Sequence, residues 1–178
     1  PAITRLELDN STGVPPCDST GDRTGFTGLM SNNAGNALFF ATRTQLPSTT
    51  QRATFDIYRR TTVNGSSTLV TTAVGGGLPN GTSFTQFLSD DGLTFAFLSD
   101  ASNLVAGDPN GTARDCYVWK STGTALISQP VTARVGTGSS CNAVRLSRNG
   151  QFAAMDMTDA MSPVDTNGLT DIYLRPIP

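Results

Sequence analysis

The sequence predicts an all-β protein built from repeated antiparallel units, and three observations carry that prediction. Its 178 residues include 18 glycines and 10 prolines, so turns recur too often to leave room for long helices. One pattern occurs three times: a serine and a Gly-containing tight turn, a strand with apolar residues at alternate positions, and a closing strand that begins Asp-x-Tyr. The three serines, Ser31, Ser89 and Ser147, are spaced 58 residues apart, a period near that of propeller blades and longer than that of helical solenoids.

Each repeat resolves into strands in the same order. The first strand ends at the serine, and the chain reverses at Asn33-Ala34-Gly35, Asp91-Gly92 or Asn149-Gly150, where Gly or Asn supplies the positive φ of a tight hairpin. The second strand carries Leu38 and Phe40, Phe95 and Phe97, or Ala153 and Met155. Alternate residues share one side of a strand, so these side chains are expected to pack between units. The third strand holds Asp56-Ile57-Tyr58, Asp115-Cys116-Tyr117 or Asp171-Ile172-Tyr173. A fourth follows in two repeats, Ser67 to Thr71 and Thr124 to Ser128, whereas the third repeat reaches Ile177 and Pro178 without one. A matching segment lies instead at residues 2–8, where Ile3, Leu6 and Leu8 alternate imperfectly. The expected organisation is one domain over residues 1–178: a strand at 1–9, then blades at 29–74, 83–130 and 141–178, the last one strand short. Residues 9–28, 75–82 and 131–140 serve as crossings from one unit to the next.

In the central repeat the residues follow S-x-D-G-x-x-x-x-F-x-S-x-A-x-x-L-V and then D-x-N-G-x-x-D-[IV]-[FY], through Ser89, Asp91, Gly92, Phe97, Ser99, Ala101, Leu104, Val105, Asp108, Asn110, Gly111, Asp115 and Tyr117. One extra residue precedes Asp115. The third repeat matches at Asp165, Asn167, Gly168, Asp171 and Tyr173, and the first departs, since residues 47–54 replace the acidic loop. Over residues 30–178 this resembles the TolB-like propeller repeat of bacterial periplasmic and secreted proteins. The resemblance implies four-stranded blades and is silent on activity, because such folds host many roles.

The Asp-x-Asn-Gly loops are where the sequence concentrates chemistry. Calcium takes six to eight oxygens from carboxylates, amides and backbone carbonyls, and Asp108, Asn110 and Asp115, or Asp165, Asn167 and Asp171, bring such oxygens around a Gly bend. Similar loops in the resembled family are associated with bound calcium. Asx-turns made with the loop's own backbone explain the same residues without an ion. The first repeat keeps only Asp56 and is expected not to bind.

Other chemistry is thinly supplied. The chain has no histidine, which removes Ser-His-Asp and Cys-His relays and the His-containing zinc sites. Asp90 with Asp91, or Asp156 with Asp159, are better read as solvated turn positions than as glycosidase pairs. We therefore expect no catalytic residues and no enzyme. A net charge of -2 with one lysine, Lys120, leaves no basic face for nucleic acid, and no apolar run nears the roughly 20 residues of a membrane span. A chain that opens at Pro1 reads as a processed or trimmed product. Among three cysteines, Cys116 to Cys141 is the first choice for a disulfide, with Cys17 free or paired across chains; Cys17 to Cys141 is the rival.

The strand count implies an assembly. A unit short of one strand exposes an edge, and a surplus strand seeks one. Donation of Ile3, Leu6 and Leu8 to the third unit of a neighbour would join copies head to tail into a ring or a filament. The expected function is a structural, secreted or cell-surface bacterial module, with the periplasm as the alternative location, whose partners are copies of itself. A binding module presenting loops to a protein or glycan is the alternative, and a propeller hydrolase the second.

Overall fold

The computed structural model describes residues 27–46, 50–129, 140–162 and 164–178. Among them the chain is all-β, without a helix: eleven strands form three antiparallel sheets. Sheet 1 contains β1 (Thr27–Ser31), β2 (Ala37–Thr44), β3 (Gln51–Thr61) and β4 (Ser67–Leu69). Sheet 2 contains β5 (Ser83–Leu88), β6 (Phe95–Ser99), β7 (Asp115–Lys120) and β8 (Gly123–Leu126). Sheet 3 contains β9 (Cys141–Leu146), β10 (Phe152–Met157) and β11 (Asp171–Pro176). Strands follow one another in space as they do in sequence, so every sheet is a meander of hairpins, with four, four and three strands as the repeat pattern expects. The strand expected at residues 2–8 lies outside the described residues.

Two apolar cores stack the sheets in order. Phe39, Ala41 and Ile57 of sheet 1 meet Phe95, Phe97 and Tyr117 of sheet 2. On the opposite face of sheet 2, Leu98, Cys116 and Val118 meet Val144, Met155 and Met157 of sheet 3. Side chains alternate across a sheet with period 2, so sheet 2 is covered on both faces. That is why β6 is buried at every position, where antiparallel strands usually alternate. Sheet 3 does alternate: along β11 Ile172 and Leu174 are 69% and 72% exposed while Tyr173 turns inward.

Aromatic rings fix the first junction. Phe39 stacks on Phe95 at 4.5 Å between centroids, Phe95 on Phe97 at 5.9 Å and Phe97 on Tyr117 at 5.3 Å. Trp119 meets Phe39 edge-on at 5.5 Å, one of the preferred ring arrangements. As expected, Phe95 and Phe97 pack between units. Their counterparts Leu38 and Phe40 lie on the side of sheet 1 away from sheet 2, and are buried there, with Phe40 against Tyr58.

The inner turns repeat in detail. Gly35, Gly92 and Gly150 have φ of +64°, +73° and +65°, and each donates its N–H to the carbonyl three residues back, Asn32, Ser89 or Ser147. The turns also touch. A Cβ on Gly92 would stand 2.7 Å from Asn32 Cβ, and one on Gly150 would stand 2.6 Å from Thr94 Oγ1. Glycine is thus required twice over, for the left-handed backbone and for the approach of the preceding turn.

Candidate functional site

The loop from Asp108 to Asp115 joins β6 to β7. Asp115 opens β7 directly opposite Ser99 and is 2% exposed. Its Oδ1 accepts hydrogen bonds from Ser128 Oγ at 2.6 Å and Asn110 Nδ2 at 3.3 Å. Asp108 Oδ1 accepts the backbone N–H groups of Asn110 and Gly111, both at 3.1 Å, an Asx-turn of the expected kind. What the turn leaves over is the other oxygen of each carboxylate. Asp115 Oδ2 is buried without a donor, and Asp108 Oδ2 and Asn110 Oδ1 are buried in the same loop. An unmet buried carboxylate oxygen is expensive.

Electrostatics report that expense. Burial lifts the Asp115 carboxyl from the ordinary 3.8 to about 6, with a contribution from the charge of Asp108, against the opposing hydrogen bonds of Ser128 and Asn110. The neighbouring Tyr117 hydroxyl is also pushed up, by burial first, then by the charges of Asp115 and Asp108 and by a hydrogen bond to the Asp108 carboxylate. The arginine next to it in sequence is engaged elsewhere, since Arg114 pairs with Asp100 at 2.8 and 3.1 Å and lies over the Phe84 ring.

Sheet 1 meets the same position in part: Asp56 Oδ1 is likewise buried without a donor, and burial raises the Asp56 carboxyl against the opposing hydrogen bond and charge of Arg52. Asp56 opens the equivalent stretch of β3 and is fully buried. One hydrogen bond repeats: Ile57 N donates to Thr71 Oγ1 at 3.1 Å, as Cys116 N donates to Ser128 Oγ at 3.1 Å, but only Ser128 goes on to donate to the carboxylate. Arg52 forms an ion pair with Asp56 Oδ2 and donates its other Nη to Pro79 O at 2.6 Å. The first repeat therefore holds a positive charge of its own against the buried Asp. In the second repeat no basic side chain among the described residues takes that place.

The donor set of the second loop, two carboxylates and an amide oxygen, suits a hard divalent cation such as calcium, with backbone carbonyls or water completing its shell. The third loop is different. Tyr173 donates its hydroxyl to Asp165 Oδ2, Asn167 Nδ2 donates to Asp171 Oδ2 at 3.2 Å, and Leu169 N donates to Asn167 Oδ1 at 2.7 Å. The loop is largely exposed, and internal hydrogen bonds account for its carboxylates, so an Asx-type turn describes it.

Sequence reasoning brought Asp108, Asn110 and Asp115 together but missed two participants. Ser128 sits at the end of the fourth strand, and its hydroxyl between a strand N–H and the buried carboxylate marks it only once the pairing of β7 with β8 is known. Arg52 was legible, since residues 52, 54 and 56 share one face of a strand.

Cys116 and Cys141 form a disulfide with Cα atoms 5.5 Å apart. It ties β7 to β9 next to Asp115, where Cys141 N also donates to Arg114 O at 2.8 Å. Cys17, the third cysteine, and Ile3, Leu6 and Leu8 lie outside the described residues. No helix of the described residues is long and apolar enough to cross a membrane. No family model and no curated protein matches the chain.

Proposed function

We propose that this protein is a non-catalytic structural module of propeller-type blades, working outside the cytoplasm, that joins copies of itself head to tail by strand exchange and takes calcium in the loop of Asp108, Asn110 and Asp115. The observation that carries the assembly is the edge of β11. In sheets 1 and 2 the third strand is covered by a fourth, through Tyr58↔Leu69 and Tyr117↔Leu126. Among the described residues nothing covers β11.

The free edge has a defined register. Ile177 N donates to Gln151 O, on the β10 side, so by alternation the N–H groups of Ile172 and Leu174 face outward. These are the counterparts of Cys116 and Val118, whose neighbour β8 supplies Ile127 N to Cys116 O at 2.9 Å. An incoming strand would pair with Tyr173 to Arg175 and take up the outward backbone groups of this edge. Residues 2–8 of another copy are the strand we assign to it, by their likeness to the two fourth strands. Pro176 stands where sheet 2 has Lys120 and lacks an N–H, so the pairing stops there. A disulfide with both cysteines fully buried supports an oxidising compartment.

Sedimentation of the intact chain and of a chain lacking residues 1–9 tests the assembly. The intact chain is expected to form multimers and the truncated chain to lose them; multimers that survive truncation overturn strand donation. Calcium is tested separately by isothermal titration of the chelator-treated protein, where absence of a binding isotherm returns the loop to a plain turn.

A further inference from the structure

The three inner turns form a relay. Asn33 N donates to Asp90 O at 3.2 Å, and Asp90 N donates to Arg148 O at 2.9 Å. Asn33, Asp90 and Arg148 hold the same place in their turns, so one backbone bond leads from each turn to the next. The side chains keep the same polarity: Asn32 of the first turn presses on Gly92, and Thr94 of the second presses on Gly150.

The middle turn is therefore engaged on both sides, and the outer two are each engaged on one. Gly92 and Gly150 are buried, whereas Gly35 is exposed and a Cβ there would meet nothing within 4 Å. Thr94 is 5% exposed, whereas Phe152, its counterpart in the third turn, is 43% exposed. Among the described residues Asn33 O and Arg148 N, the two ends of the relay, have no backbone partner. One turn is a vacant socket and another an unused plug, and the two are built to the same pattern.

We propose that the relay continues between molecules: the Ser147 to Phe152 turn of one copy seats on the Gly35 turn of a second, with Arg148 N donating to Asn33 O and Phe152 lying over Gly35. The partner is a second copy because the contact extends an interface that the chain already makes twice within itself. Leu38, Phe40 and Tyr58 on the adjoining face of sheet 1 are already buried, so the contact is made at the turn end of the sheets. This surface is distinct from the β11 edge, though it rests on the same head-to-tail reading. The contact is heterologous, with different surfaces on the two copies.

Two variants separate the surfaces. Arg148→Pro, with Arg148→Ala as the control for the lost side chain, removes the outward N–H; it keeps the carbonyl that Asp90 uses, and proline suits the second position of such a turn. Gly35→Asn adds a side chain where the free chain has room, in a left-handed conformation that Asn tolerates. Each is expected to melt cooperatively with unchanged near-ultraviolet dichroism, and to self-associate at least about tenfold more weakly in sedimentation velocity, as loss of a backbone bond and its contact requires. Mixing the two is expected to restore dimers but nothing larger, because one intact plug then meets one intact socket. Wild-type association by both variants, or a mixture no more associated than its components, overturns the turn contact. If truncation of residues 1–9 abolishes assembly while both variants keep it, strand exchange stands and the turn contact falls. If both variants lose assembly and the truncation keeps it, the turn contact stands alone. A wild-type chain that is monomeric throughout overturns both.

Discussion

Replacing Asp115 with Asn removes a charge that the fold holds at a cost. The carboxyl rises from 3.8 to about 6 on folding, which corresponds to about 3 kcal/mol at 1.36 kcal/mol per pH unit. Because the folded state holds the proton more tightly than the unfolded chain, this group's contribution is complete below about pH 4. It declines as the pH rises through about 6 and is level above that. In chelator at pH 7.5 the Asp115→Asn protein is therefore expected to be the more stable by up to about 3 kcal/mol, or about 6 to 12 °C in melting temperature for a chain of this size. At pH 4 the two should coincide, since both then carry a neutral group that still accepts from Ser128. If the loop takes calcium as proposed, a hundredfold excess over its dissociation constant adds about 2.7 kcal/mol to the wild type alone and brings the two proteins roughly level. Melting curves followed by circular dichroism, from pH 4 to 7.5 with chelator and with calcium, read all of this. A variant less stable than wild type in chelator at pH 7.5, or one that calcium stabilises equally, refutes the reasoning.

Three further outcomes follow from the packing. Arg52→Leu strands the fully buried Asp56 without its cation and should cost about 3 to 5 kcal/mol, most of it recovered in the Arg52→Leu, Asp56→Asn double variant; urea denaturation of the two measures this. Gly92→Ala should lower stability by several times the effect of Gly35→Ala. Both meet a left-handed backbone penalty of about 1 to 2 kcal/mol, but only Gly92 also faces Asn32 Cβ at 2.7 Å; equal melting shifts would contradict the stacking of the turns. Exchanging Cys116 and Cys141 for alanine opens a loop with a sequence separation of 25 and should cost about 3 to 4 kcal/mol on chain-entropy grounds. The wild type in reductant should then melt like the variant.

The repeat made much of this architecture readable in advance. The turn glycines marked the hairpins and the Asp-x-Tyr triplets located β3, β7 and β11, because hairpin chemistry is local and survives translation into sequence; the serine spacing was one residue out in the first repeat, where Asn32 and not Ser31 holds the place of Ser89 and Ser147. The pairing of Cys116 with Cys141 was readable for the same reason, since adjacent units had to meet near those positions. The turn relay was not readable. It consists of backbone N–H and carbonyl groups, which every residue carries, so nothing in Asn33, Asp90 or Arg148 as residue types announces it. Arg52 could have been placed from strand alternation alone, since residues 52 and 56 share a face, and it was passed over because residues 47–54 break the repeat pattern.

Each sheet draws all its strands from one unbroken stretch of chain, and this shapes how the molecule would come apart under load. Pulling on the two ends of sheet 1 need not disturb the hairpins of sheet 3, so extension should proceed in discrete rupture events, one sheet at a time. The cystine between sheets 2 and 3 caps the length released from that pair until it is reduced. A chain wired in this manner gives way in steps and keeps residues 117–140 behind a covalent stop.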